Sequence, residues 1–441
     1  MKIEFTPRFI VRLGLVGQLR RRPESERFFR LAKTTKQAVL VLSSMESDAA
    51  RRKKGRSKPD RVFRHSLALC LALLGSGLTG TGLAEELDVW IGTTTPRNGL
   101  SKGIYHLQFN TDTGKLTPSE LAAEINSPGF LALHPNGQVL YATGRVAGEA
   151  SLVAYRISQT NGRSSLSLMN SQPVGDGGAA HLSTDRGGKV LMSAQYGGGS
   201  IAIFPLTEGG AIGPRSKLVK HEGASRVVAR RQDKSHAHWV GTSPDNRFAF
   251  VPDLGLDKVA IYQLDAEQAN LKFHGYGQLP PGGGPRHMKF HTSGRFIYVL
   301  NELDLSVTAF AYDVAQGRMT PFQTIPTVPV LEKAKEMFVS ASEIRVHPSG
   351  RFLYAANRGH DTITAFAIDA KNGRLRFVER EPIRGSWPRN FNIDPTGKWL
   401  LAAGRDSNTL AVFAIDTDTG ELTYTRTMVM VPSPICVLFG S

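Results

Sequence analysis

The chain has 441 residues, enough for two or three ordinary domains, and carries 54 Lys/Arg against 38 Asp/Glu for a formal net charge of +16. Residues 1–84 hold 18 basic against 6 acidic side chains and residues 85–441 hold 36 against 32, so the two parts carry +12 and +4. A folded part so nearly balanced lacks the clustered basic surface that phosphate tracking needs, and no nucleic-acid partner is expected.

The first element in chain order is a leader. RRKKGRSKPDRVFR (51–64) is a basic segment, and SLALCLALLGSGL (66–78) is an apolar one too short to span a bilayer. Gly82 and Ala84 are small residues placed for a cut before Glu85. The pattern predicts an export signal, a periplasmic location and only transient contact with the membrane. Residues 1–44 exceed an ordinary basic segment, so Met45 is an alternative start. Cys70 would leave with the leader and Cys436 would remain alone, which excludes an intramolecular disulfide in the mature chain.

From residue 85 onward one pattern recurs. FLALHPNGQVLYATGR (130–145), HLSTDRGGKVLMSAQY (181–196), HWVGTSPDNRFAFVPDL (238–254), GPRHMKFHTSGRFIYVLNEL (284–303), EIRVHPSGRFLYAANR (343–358) and NFNIDPTGKWLLAAGR (390–405) each read as strand, turn, strand. A third strand follows each, as in SVTAFAY or TITAFAI, and then a polar turn and a weaker fourth strand. The turn residues 137, 188, 246, 294, 350 and 397 recur every 47 to 58 residues, the period of a β-propeller blade. ELDVWIGTTT with GIYHLQF at the start and PICVLFGS at the end supply parts of a seventh unit. The expected fold is all-β: one seven-bladed β-propeller over 85–441 with four-stranded antiparallel blades, closed by N- and C-terminal strands in one blade.

In such a ring, the start of each first strand and the end of each second strand meet at one rim. Counting from the turn residue, position −8 holds Arg286 and Arg389 and position +8 holds Arg145, Glu302, Arg358 and Arg405. Positions −7 and −5 add His181, His287, Lys289, Glu343, Arg345, Asn390 and Asn392, while −6 and −4 are mostly apolar. Charge on innermost strands is costly unless it faces a wet cavity, so a functional rim site is expected. On this count Arg286 and Glu302 stand directly opposite one another. Two long connections, 216–234 and 327–341, cross the same rim, where long loops usually serve a site.

GPRHMKFH with FIYVLNEL, SEIRVHPSGRFLYAANR, YGGGSIAIFPL and KSHAH together resemble the seven-bladed lactonase family, which holds the propeller-type 6-phosphogluconolactonases and the carboxymuconate-lactonizing enzymes. The likeness runs from IGTTT near residue 91 to the C-terminus. It implies a hydrolase acting on a small-molecule lactone, without cofactor, with catalytic residues at His236, Arg286, Glu302 and Arg345. Substrate contacts are expected from His238, His287, Asn301, Arg358, Arg389 and Asn392, and the protein is expected to be a monomer. Two motifs depart from the family pattern: LYATGR places Arg145 where an acid is usual, and QYGGGS carries Gln195 in place of Asn.

Opening a lactone needs an activated water, stabilisation of an oxyanion and an acid for the departing alkoxide. Glu302 can be the base, or His236 can be the base with Glu302 orienting it. Arg286 and Arg345 can hold the oxyanion or grip a substrate anion. The G-x-S-x-G form occurs at GLSKG (99–103), but the strand GIYHLQF rather than a helix follows it, so it is no nucleophile elbow and no serine nucleophile is expected. His236 and His238, two apart, resemble half of a zinc site, but a third ligand at clear spacing is missing, so no metal is expected. A muconate-type cycloisomerase and a non-enzymatic binding scaffold are the alternatives, since propellers host many functions.

Overall fold

Each repeated hairpin turns at a residue with left-handed backbone. Gly294, Gly350 and Gly397 have φ of 69°, 72° and 75°, and Asn246 takes the equivalent place with φ 61°. The Gly294 amide donates to the His291 carbonyl at 2.8 Å, closing a tight turn that sends the chain back antiparallel.

The structure, a computed structural model, describes residues 86–95 and 99–440. The leader expected over 1–84 lies outside the described residues. Seven sheets form, and six of them are four-stranded, spanning 131–173, 179–220, 241–278, 285–326, 340–382 and 388–430. In the seventh, Pro434–Phe439 lies innermost, then Glu86–Thr93, Gly103–Asn110 and an outer edge split between Lys115–Leu116 and Glu120–Glu124. Val89 pairs with Phe439 and Ile91 with Val437, so both ends of the described chain share one blade. This is the expected seven-bladed propeller, and the C-terminal strand completes its last blade.

The core lies between blades rather than at one centre. Tyr298, Leu300 and Val307 of one blade pack with Ile344, Leu353 and Phe366 of the next, all fully buried. Polar staples repeat the same link. Nε2 of His134, His291 and His347, the histidines of HPNG, HTSG and HPSG, bonds to the Gly188, Gly350 and Gly397 carbonyls of the following blade at 3.0, 2.8 and 2.7 Å. The hydroxyls of Tyr141, Tyr298 and Tyr354 donate to the Gly210, Gly373 and Gly420 carbonyls at 2.7, 2.9 and 2.8 Å. These hairpin motifs therefore carry the scaffold, and the opposite ends of the same hairpins are free to carry chemistry.

Candidate functional site

A β-bulge arranges the rim. Pro285 pairs with Asn301 and His287 with Leu300, so Arg286 is an extra residue, and Glu302 N–H donates to Gly284 O at 2.8 Å. The direct opposition of Arg286 and Glu302 expected from simple counting is thus corrected by one residue. The same irregularity falls between Ala341 and Ile344 and between Pro388 and Asn390. A bulge lets two consecutive side chains share one face. Arg286 and His287 do so: Arg286 Nη1 donates to His287 Nε2 at 3.1 Å.

The side chains of Arg286 and Glu302 still meet. Glu302 Oε2 accepts from Arg286 Nε at 2.9 Å, and Oε1 accepts from Arg231 Nη2 at 2.6 Å, with Arg358 Nη2 at 3.2 Å. Arg286 Nη1 also donates to the Ser342 carbonyl. One buried carboxylate therefore gathers three guanidiniums. Glu302, Arg231 and Arg358 line a cavity of about 470 Å³ whose wall also includes Tyr196, His238, Ser340, Trp387, Arg389 and Arg405. A smaller chamber of about 90 Å³ lies against Phe130, Arg286, His287, Arg389 and Ile435, so Arg389 lines both. Among the described residues Arg389 has no hydrogen bond or ion pair, although Arg405 is paired with Asp406 at 2.6 Å.

Behind this wall lies a second buried carboxylate. Because Arg286 donates to His287 Nε2, His287 carries its proton on Nδ1 and donates to Glu343 Oε1 at 3.2 Å. Glu343 Oε2 also receives Asn390 Nδ2 and lies 3.5 Å from Arg345 Nη2. Arg345 is thus joined to the site through Glu343 and His287 rather than through Glu302.

Electrostatics follows from this crowding. Burial alone would raise the Glu302 carboxyl, but the charges of Arg358, Arg286 and Arg231 hold it well below the usual carboxylate range. Desolvation, with Arg286 and other cations nearby, depresses His238 and His287 well below an ordinary histidine. Desolvation and Arg358 push Arg286 down to about 10, where it is still charged at neutral pH. Desolvation, Arg286 and Arg358 lower Arg389 in the same way. Lys289, below the rim, falls to about 7 through desolvation and Arg345. The site joins an ionised carboxylate, neutral histidines and an excess of cations.

The remaining expected residues occupy other places. His236 is half-buried, donates from Nδ1 to the Tyr196 carbonyl at 2.8 Å, and stacks on the Tyr196 ring at 4.4 Å. His238, not His236, reaches the cavity, with its ring 5.2 Å from that of His287. Asn301 donates from Nδ2 to Ser306 and Thr308 at 2.8 and 2.9 Å, on the third strand of its own blade. Asn392 Nδ2 donates to the Val437 carbonyl at 3.0 Å, and the Val437 amide donates to Asn390 at 2.9 Å, so these asparagines anchor the C-terminal strand. Among the described residues no group of three or more His, Cys, Asp or Glu is placed to hold a metal ion. Sequence reading did not name Arg231, Ser340 or Trp387 as cavity residues, although Arg231 and Ser340 lie in the rim-crossing connections that it singled out.

Known proteins share this architecture. The family model for the seven-bladed β-propeller lactonases matches residues 88–439. A 6-phosphogluconolactonase of Bacillus subtilis is 33% identical over 353 residues, covering 79% of this chain and 97% of that protein. One of Formosa agariphila is 35% identical over 300 residues, covering 66% of this chain and 82% of that protein. The solved structure of a periplasmic gluconolactonase of Pseudomonas aeruginosa superposes with a TM-score of 0.74 at 31% identity, covering 81% of this chain and 99% of that one.

Proposed function

The chain belongs to the lactonase family of seven-bladed β-propellers, and from that premise we propose that it hydrolyses a sugar lactone bearing an anionic group. The observation that carries this reading is the charge of the cavity. Arg231, Arg286 and Arg358 converge on the single carboxylate of Glu302, and Arg389 lines the same wall without an acceptor of its own. A phosphate or carboxylate would supply the missing acceptor, and guanidiniums match either group bidentately.

In the proposed step His238 takes a proton from water, and the water oxygen attacks the lactone carbonyl carbon. The new oxyanion is held by Arg286 and Arg389. The ring C–O bond then breaks, and the proton passes from His238 to the departing alkoxide. His238 suits this role better than Glu302 does, because a carboxylate held so far below its usual range is a weak base. Glu302 then positions the arginines. His236, one of the two candidate bases read from the sequence, supports Tyr196 in this reading, its Nδ1 proton being committed to a carbonyl.

The purified protein is tested for opening of 6-phosphogluconolactone and glucono-δ-lactone above the spontaneous rate. His238→Gln should reduce kcat by about 10²–10⁴-fold. An unchanged rate in this variant would sink the His238 assignment, and no acceleration by wild-type protein would sink the lactonase reading. The leader pattern supports export to the periplasm, and the protein is proposed to be a monomer. Mass spectrometry of the native protein should find Glu85 at its N-terminus, and recovery of residues 45–84 from a cytosolic fraction would overturn export.

A further inference from the structure

The channel inside the ring closes below the rim and then opens again. The His181 ring lies 4.1 Å from that of Phe130, 5.3 Å from that of Trp239 and 5.5 Å from that of His287, so rings from four blades meet across the axis. His181, Trp239, His287 and Glu343 are buried in this layer. Two residues further along the same inner strands, Ser183, Lys289 and Arg345 are only half-buried. Strand alternation puts them on the face that carries the buried layer, so they line a lower part of the channel. None of them lines the rim cavity or its inner chamber.

Lys289 and Arg345 stand there on neighbouring blades with little to neutralise them. Among the described residues Lys289 has no hydrogen bond or ion pair, and its Nζ lies 5.4 Å from the centre of the Trp239 ring. Arg345 has Glu343 at 3.5 Å and the Phe391 carbonyl at 3.4 Å, both long for a charged donor. Glu343 is already committed to His287, Asn390 and the Ile344 amide. The two cations also act on groups from other blades. His181, depressed by desolvation and His287, is pushed further down by both, and the Cys436 thiol, raised by desolvation, is drawn back by both. Charges felt this widely converge on the axis.

We propose that Lys289 and Arg345 form a second anion site in the lower channel, separate from the rim cavity, that takes a small tetrahedral oxyanion such as sulfate or phosphate. The ammonium and the guanidinium offer donors from two neighbouring strands, and such an anion has an oxygen for each. It would give Lys289 the acceptor it lacks and offset the cost of unpaired charge in a partly dry channel. The site is independent of the lactonase reading, because neither side chain takes part in the proposed reaction.

Reductive methylation of the full-length protein with formaldehyde, followed lysine by lysine in mass spectrometry, tests this with inorganic sulfate as the probe. Desolvation and Arg345 bring Lys289 down to about 7, so its amine should react at neutral pH. Saturating sulfate should slow that reaction at least about tenfold and leave the exposed Lys335 and Lys371 unaffected. Arg389→Met, which alters the rim, should retain the protection, whereas Arg345→Met should raise the sulfate needed for half-protection about tenfold. A Lys289 that never reacts would mean a closed channel and would overturn the proposal. So would a reaction indifferent to sulfate, or protection that disappears in Arg389→Met, which would assign the anion to the rim. Protection of the wild-type protein needs no substitution, so the test stays decisive if a variant fails to fold.

Discussion

At the scale of single residues, Glu302 does two jobs that its neighbours make inseparable. It neutralises Arg231, Arg286 and Arg358 and so fixes where their guanidiniums stand. Glu302→Gln removes the only carboxylate that touches all three, and breaking a buried pair usually costs about 3–5 kcal/mol. The variant should therefore lose stability by roughly that amount in denaturant titration as well as losing lactonase activity. A variant with wild-type stability and low kcat would show instead that Glu302 acts chemically and not as an organiser. The histidines give a pH dependence with a definite sign. His181, His238 and His287 are depressed by desolvation below the ordinary value near 6.5, while the unfolded chain binds protons as soon as pH falls to that value. Their contribution to stability is complete above about pH 7 and is lost as pH falls through about 6, by about 1.4 kcal/mol per pH unit for each. Stability measured from pH 8 to pH 5 should fall along that slope. It should fall less steeply once His287 is replaced by Gln. The acid limb of kcat/KM should also lie below the ordinary histidine range, because His238 stays neutral there.

At the scale of elements, the bulge after Pro285 and the long connections determine what reaches the cavity. The bulge turns Arg286 onto the same face as His287, so the inner strand presents two functional groups where alternation allows one. The connection that crosses the rim before the third complete blade brings Arg231 to 2.6 Å from Glu302. Arg231 is half-buried and belongs to no strand. Arg231→Ala should consequently raise KM for an anionic lactone by about tenfold, the effect of one charge-assisted bond, and leave the melting temperature close to wild type. A matching loss on δ-valerolactone would show that the loop shapes the whole cavity and does not bind the anion.

At the scale of the whole molecule, the ring is closed by a strand from the far end of the chain. Pro434–Phe439 pairs with Glu86–Thr93 on one side and is anchored by Asn390 and Asn392 on the other. Deleting residues 434–441 would expose the edge of Glu86–Thr93 and uncover the neighbouring blade, and an open edge of this kind templates aggregation. The truncated protein should lose its cooperative unfolding transition and sediment as aggregate. A monomeric, cooperatively folding truncation would mean that six blades suffice. The cavity depends on the same closure, since Ile435 lines its inner chamber.

The repeat, the number of blades, the shared terminal blade and the rim that carries the charges were all legible in the amino-acid sequence. Strand alternation and turn glycines are local properties, and a period near fifty residues leaves few ways to stack them. Arg286, Glu302 and His287 were legible for the same reason, each standing at a fixed distance from its turn. The bulge was not, because one extra residue in a strand leaves the hydrophobic alternation on either side intact. Arg231, Ser340 and Trp387 were not, because their positions depend on how connections fold over the rim. Asn392 shares a rim position of functional residues and Asn301 adjoins one, yet their amides satisfy Ser306, Thr308 and the Val437 backbone. Counting from a turn places a residue at the rim, but only packing of one blade against the next decides whether its side chain faces the cavity or holds the blades together.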